Sequence, residues 1–305
     1  MSNAIGNESP SEQDAIAISS AETDVLLIEV NHQLQAGTFD PQNPHIMQQL
    51  VESLGDTRGL VRLRCAATLG DIGKPATPFL VAALANHANV VVRRAAAKTL
   101  TLIADTTALP TLIDSLLNDE DTVVKGSSVG AMARMGEAAV PALLDILASS
   151  EHPESTKGHA AWALAFIGIQ AKELVYRQID SNSAVVRAAV VGAIASIAQE
   201  HPEKQAFNVL TNALDDADVN VRSEAASALG TLAYRPAIPQ FVELLSHDDR
   251  ETRKAAALAL MKIGDVQVLD HLNAAREKEP DTAIQGVMKL AISQLEKQSK
   301  DDDWE

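Results

Sequence analysis

The sequence predicts an all-α fold, an α-solenoid in which helical hairpins of about 32 residues stack into an elongated superhelix. A basic residue recurs every 30 to 35 residues and is followed each time by the same apolar pattern. Prolines stand ahead of a second apolar stripe in four of these units. Aromatic residues make up only 3% of the chain, whereas alanine and leucine are abundant, which favours close packing of helices over β-sheets.

Each unit begins with a helix that carries the recurring basic residue near its start. The seven basic residues are Arg62, Arg93, Lys125, Lys157, Arg187, Arg222 and Arg253. Apolar or small side chains follow three, four, seven and ten residues later, and this spacing places them on one helical face. At the eleventh position only glycine or alanine occurs, as at Gly73 and Ala198. We therefore predict that every first helix ends there in a tight turn.

The second helix of a unit is marked by a proline in its predicted first turn, where proline costs no hydrogen bond. The four prolines are Pro78, Pro110, Pro141 and Pro239, and leucine or phenylalanine side chains follow each of them on one helical face. Acidic or polar turns then lead to the next basic residue. Because a single hairpin cannot bury its apolar stripe alone, the hairpins must stack on one another.

The two ends of the chain depart from the repeat. We expect a disordered acidic tail over residues 1–22 and a pair of capping helices over residues 23–57. The repeats are expected to fill residues 58–282. A single capping helix over residues 283–296 and a second disordered acidic tail over residues 297–305 complete the predicted organisation.

Charge and composition exclude several classes of protein. The net charge of −16 opposes binding to nucleic acid or anionic lipid, because both require neutralisation of phosphate by Lys and Arg. No segment approaches the roughly 18 consecutive apolar residues of a membrane span, and the first residues lack a signal-peptide pattern. The single cysteine, Cys65, cannot form an intramolecular disulfide and stands where other units have a small core residue. We expect a cytoplasmic protein with no membrane insertion.

Catalytic and metal-binding patterns are scarce. The eight histidines are scattered, and none is paired with another at the three- or four-residue spacing of a helical metal site. The glycines recur at hairpin turns and do not cluster in a phosphate-binding loop. The sequence therefore nominates no catalytic residue and no metal ligand.

Basic residues concentrate in the first repeats. Between Arg58 and Lys125 there are eight basic residues against six acidic ones, within an acidic chain. We define a candidate docking strip for an acidic protein or a carboxylate ligand as Arg64, Arg93, Arg94, Lys98 and Lys125. The alternative is architectural: each recurring basic residue pairs with the acidic turn of the preceding hairpin and orders the stack.

The fourth unit carries an unusual first helix. Lys157, His159 and Trp162 lie close in sequence, and Phe166 follows Trp162 by four residues, which places the two rings on one face. One interpretation is an aromatic anchor for a flat ligand or a partner, with Lys157, His159 and Trp162 as candidate contacts. The other interpretation is that the rings fill space in the core.

The repeated phrases from Val61 to Gly73, from Val221 to Gly230 and from Thr252 to Leu260 resemble the HEAT-like repeats of the phycobilin lyase family. That family includes subunits that attach linear tetrapyrroles to phycobiliprotein cysteines, turnover factors and adaptors, among them one that interacts with an iron–sulfur assembly factor. The stretch from Lys157 to Gly168 looks closest to the adaptor group. Deoxyhypusine hydroxylase has a similar repeat, but its di-iron site uses His-Glu dipeptides, and no histidine here is followed by glutamate.

We therefore expect a protein-binding scaffold or adaptor, and not an enzyme, that docks a partner on a curved surface lined by second helices. A phycobiliprotein or an iron–sulfur assembly factor is the partner that the resemblance implies, with no cofactor. The alternative is a phycobilin lyase subunit or bilin-handling factor of cyanobacteria, in which case a phycobilin is the ligand.

Overall fold

A computed structural model describes the backbone of residues 19–302 and the side chains of residues 19–298. Within that range the chain forms α-helices and short 3₁₀ turns and contains no β-strand, which confirms the predicted all-α class. The chain divides into two compact units, residues 1–132 and residues 133–305.

The first unit is a stack of hairpins. Its helices are α1 (Ser20–Ala36), α2 (Pro44–Glu52), α3 (Gly59–Ile72), α4 (Thr77–Asn86), α5 (Val90–Ile103) and α6 (Leu109–Asn118), and α7 (Thr122–Arg134) crosses the boundary between the units. The first helices α1, α3 and α5 pack side by side, and the second helices α2, α4 and α6 do the same. Two layers of helices thus enclose one continuous apolar core.

The second unit repeats this arrangement. Its helices are α8 (Val140–Ala148), α9 (Glu154–Ile167), α10 (Lys172–Tyr176), α11 (Ala184–Glu200), α12 (Lys204–Asn212), α13 (Val219–Thr231), α14 (Ile238–Leu244), α15 (Arg250–Ile263), α16 (Leu269–Lys278) and α17 (Thr282–Asp302). The first helices α9, α11, α13, α15 and α17 pack in that order. Each unit is therefore an α-solenoid segment, as predicted.

The sequence predicts that each first helix ends at the glycine or alanine eleven residues after the recurring basic residue. The structure confirms this prediction in all units but one. Gly73, Ala104 and Gly264 follow the last helical residue and have positive φ of 75°, 53° and 76°, and the latter two adopt the left-handed conformation of a helix C-terminus. The prediction is wrong at Ala198, because α11 continues to Glu200. The helix ends there because His201 precedes a proline, and a residue before proline disfavours the helical conformation.

The first and last helices are longer than the sequence predicts. Ser19 caps α1, and its hydroxyl and the Glu22 carboxylate bond reciprocally to backbone N–H groups, so the helix begins within the expected tail. At the other end α17 runs to Asp302 because no glycine or proline follows Leu295 and the residues are good helix formers. The rest of the two predicted tails, residues 1–18 and 303–305, lies outside the described residues.

Candidate functional site

The recurring arginines form what we call the arginine ladder, made by Arg93, Arg187, Arg222 and Arg253. Arg187 donates a 2.8 Å hydrogen bond to the carbonyl of Ser181, in the turn before its helix. The same guanidinium donates bonds of 2.8 and 2.7 Å to the carboxylate of Asp216, in the next turn along the chain. These bonds hold the pKa of Asp216 below its usual value, because they stabilise the charged carboxylate.

The ladder supports the architectural interpretation but corrects its geometry. Arg93 bonds to the His87 carbonyl and to Asp119, and Arg253 repeats the pattern with the carbonyl of His247 and with Glu279. The carboxylate thus comes from the following turn, and the preceding turn supplies carbonyls. An arginine at a helix start lies between the two turns, so it can join consecutive hairpins.

Much of the docking strip is held by internal contacts. Arg93 belongs to the ladder, and Arg94 Nε donates a 2.8 Å bond to Asp121. Lys125 Nζ donates a 3.1 Å bond to the carbonyl of Leu117. Arg64 and Lys98 are exposed and form no hydrogen bond or ion pair within the part of the chain that the structure describes.

Trp162 and Phe166 form an exposed aromatic pair on α9. Their ring centroids lie 5.6 Å apart, and the rings are inclined by 29°. The two residues are 52% and 51% exposed, so the interpretation that they fill the core is wrong. Such large exposed rings are typical of contact surfaces.

A groove of about 650 Å³ lies beside Trp162, between α9, α11 and the start of α13. Lys157 also lines the groove, with its ammonium 3.3 Å from the carboxylate of Glu154. His159, the third predicted anchor, is half-buried and does not contribute to the lining. The groove has the size of pockets that hold small organic ligands, about 300–1,000 Å³.

Small side chains on α11 create this groove. We define the first-helix face as the positions two residues before and one, two, five and nine residues after each recurring basic residue. On α11 these positions hold Val185, Ala188, Ala189, Gly192 and Ser196. Each of the other first helices of the repeats has a larger or charged residue, such as Trp, Lys, Arg or Glu, at one or more of the same positions. This run of small residues is visible in the sequence, but only the packing of α11 against α9 and α13 shows that it forms a groove.

Glu224 of α13 reaches over the backbone of α11. One of its carboxylate oxygens lies 3.0 Å from the position that a Cβ on Gly192 would occupy, so a side chain there would push the carboxylate aside. The surrounding protein displaces water and raises the pKa of the Glu224 carboxyl, while Lys262 acts in the opposite direction. A carboxyl of this kind accepts hydrogen bonds from N–H groups of a ligand.

A second depression of about 260 Å³ continues on the other side of α13. It lies against α15, and its lining includes Ser227, Lys254, Leu258 and Lys262. Both depressions lie on the first-helix face of the second unit, with α13 as their shared wall.

The first unit presents protruding aliphatic residues on its first helices. Val25, Ile28, Leu60, Leu63 and Leu102 are each between 62% and 78% exposed. Leu102 of α5 lies against α3, since its Cδ1 atom is 3.2 Å from the position of a Cβ on Gly70. The sequence-based expectation places the binding surface on second helices, whereas these residues and most of the lining of the two depressions lie on first helices.

The residues that the structure describes offer neither a metal site nor a membrane span. No cluster of three or more His, Cys, Asp or Glu side chains with the geometry of a metal site is present in that range. Within the described chain, no helix combines the length and apolar character that crossing a membrane requires. Cys65 is fully buried, as expected, and burial raises the pKa of its thiol to about 11.

Comparisons with known proteins agree with the repeat pattern. A family model described as HEAT repeats matches residues 77–165, 110–195 and 207–293. The bilin biosynthesis protein MpeU of Synechococcus sp. (strain WH8020) is 38% identical over 273 residues, which cover 89% of this chain and 92% of that protein. The uncharacterized phycocyanin operon protein Z of Pseudanabaena tenuis (strain PCC 7409) is 29% identical over 164 residues, or 52% of this chain and 78% of that protein.

Among solved structures, Kap95p in its complex with RanGDP superposes with a TM-score of 0.51 at 15% identity. The superposition covers 92% of this chain and 44% of Kap95p, and this likeness concerns the fold alone.

Proposed function

Because the chain belongs to the HEAT-repeat family and to the family of the bilin biosynthesis protein MpeU, we propose that it is a bilin-handling protein of the phycobilin lyase type. It holds a linear tetrapyrrole for attachment to, or removal from, a cysteine of a phycobiliprotein. This reverses the order of the two interpretations drawn from the sequence, in which a scaffold came first. The iron–sulfur partner has no counterpart in the relatives described above and is not part of the proposal.

The groove beside Trp162 is the observation that carries the proposal. A bilin is a flat, conjugated ligand with pyrrole N–H donors, and it needs an aromatic surface, room and acceptors. Trp162 offers an exposed ring, α11 offers a floor of small side chains, and Glu224 offers a carboxyl that accepts from pyrrole N–H groups.

The chain's own cysteine is not the attachment point. Cys65 is buried, and its raised pKa keeps the thiol protonated, so it is a poor nucleophile. In attachment, the partner's thiol adds across a side-chain double bond of the bilin, which forms one C–S bond and moves the thiol proton to carbon. The role that we assign to this chain is to orient the bilin and to limit its contact with water.

A phycobiliprotein lacking its bilin is the partner that we propose for the first unit. The protruding aliphatic residues around Leu63 and Leu102 supply apolar contact area, while Arg64 and Lys98 stand beside them without internal partners among the described residues. This combination fits a partner surface that has apolar side chains bordered by carboxylates.

Titration with phycocyanobilin tests the ligand proposal. The wild-type chain should give a saturable change in bilin absorbance, and Trp162→Ala should weaken the affinity about tenfold, or about 1.4 kcal/mol, the scale of an aromatic contact. Phe207→Leu is the matched control, because Phe207 stacks on Tyr234 at 4.2 Å and does not line the groove. Absence of saturable binding to the wild-type chain would refute the ligand proposal.

A further inference from the structure

The groove beside Trp162 leaves one part of a bilin without a partner. A linear tetrapyrrole carries two propionate carboxylates, which need cations. The groove contains three carboxylates, those of Glu154, Asp218 and Glu224, and a single amine. That amine, on Lys157, already lies 3.3 Å from Glu154. The propionates therefore fit poorly in this groove, although the rings fit well.

The second depression supplies the missing cations. Lys254 and Lys262 lie eight residues apart on α15, a rise of about 12 Å along the helix, and Leu258 lies midway between them. Two amines at this spacing can each bind one of two flexible carboxylate arms.

Neither lysine is committed to a strong internal contact. Lys254 Nζ lies 3.0 Å from the carboxylate of Glu251, three residues earlier, and both side chains are nearly half exposed, a type of pair that contributes little. Lys262 Nζ donates a 3.1 Å bond to the neutral hydroxyl of Thr231. Ladder arginines such as Arg187 differ, because Arg187 bonds to both the Ser181 carbonyl and the Asp216 carboxylate.

We propose that Lys254 and Lys262 bind the two propionates on the inner pyrroles of a linear tetrapyrrole, one outer ring of which extends over α13 toward Trp162, an inference that rests on the proposed bilin-handling function. Glu224 lies between the two ends of this path and accepts a hydrogen bond from a pyrrole N–H. The two depressions are lined by residues of α13 on its two sides, so one ligand lying over α13 can contact both.

A ligand without charge on its two arms tests this assignment. The probes are phycocyanobilin and its dimethyl ester, which keeps the chromophore and removes both negative charges. The wild-type chain should bind the ester about tenfold or more weakly than the acid. The double variant Lys254→Gln with Lys262→Gln should bind acid and ester with equal affinity. Lys204→Gln, an exposed lysine of α12 away from both depressions, should behave as the wild type.

The possible outcomes distinguish a failure of the lysine assignment from a failure of the proposed bilin-handling function. If the double variant, folded by circular dichroism, still prefers the acid, or if the wild type does not distinguish the two probes, the lysine assignment is wrong and bilin binding stands. If the wild type binds neither probe, the proposed function itself fails. If the wild type binds only the acid and the folded double variant binds neither probe, the result supports a role of the two lysines in binding the carboxylates.

Discussion

The first helices of the two units present different surfaces on the same repeat. In the first unit α3 and α5 carry protruding leucines beside Arg64 and Lys98, which are exposed and form no ion pair with any residue that the structure describes. In the second unit the same positions of α9 and α11 carry an aromatic pair and a floor of small residues, which form a groove. Both units share the ladder and the left-handed turns. The residues that repeat build the fold, and those that change on the first-helix face give each unit a different surface.

Breaking the ladder should have the largest effect. Arg187→Ala leaves the partly buried Asp216 carboxylate and the Ser181 carbonyl without their donor, so we expect a loss of about 3 kcal/mol in the free energy of unfolding. Arg64→Ala, an exposed arginine of α3, should change stability by less than about 0.5 kcal/mol. Urea denaturation followed by circular dichroism measures both. Equal losses in the two variants would contradict the distinction between ladder and surface arginines.

Filling the groove should abolish ligand binding without unfolding the chain. In Gly192→Leu the new side chain occupies the floor and displaces the Glu224 carboxylate, so we expect at least a tenfold loss of bilin affinity. Helix propensity favours leucine over glycine, so stability should be kept. Gly130 is the matched control, because it has the same position in its repeat and open space around it. Unchanged bilin affinity in Gly192→Leu would place the ligand elsewhere.

The surface of the first unit should affect partner binding alone. Leu63→Ala with Leu102→Ala should weaken binding to an apo-phycobiliprotein about tenfold and leave bilin affinity unchanged, because the side chains protrude and do not line the groove. Surface plasmon resonance with immobilised apo-phycobiliprotein gives the first quantity and absorbance titration the second. Val266→Ala, which shortens an exposed side chain of the second unit, is the control. If partner affinity is unchanged in the double variant, the docking surface is not on α3 and α5.

The fold was predictable because its determinants repeat. The basic residue, the apolar spacing and the terminal glycine or alanine each occur in every unit, so one unit supports the interpretation of the next. Ala198 shows the limit of that reasoning, since alanine permits the turn without requiring it, and the proline after His201 decides where α11 ends.

The site was only partly predictable. Trp162 stands out in the sequence as a large aromatic residue in an alanine-rich first helix, with Lys157 five residues before it, and the structure places both on the groove. Gly192 and Glu224 were missed because their meaning depends on a contact between neighbouring helices, which no spacing within one helix reveals. The sequence alone places Arg93 and Arg94 in the docking strip, because it does not show that Asp119 and Asp121, more than twenty residues away, pair with them.

The most direct test of bilin binding beside Trp162 is tryptophan fluorescence in a variant that keeps one tryptophan. The chain has two, Trp162 and Trp304, and the latter lies outside the described residues. In Trp304→Phe, phycocyanobilin should quench the emission of Trp162 saturably, with one bilin per chain at the end point. Bilin binding by absorbance without saturable quenching of Trp162 would contradict the account.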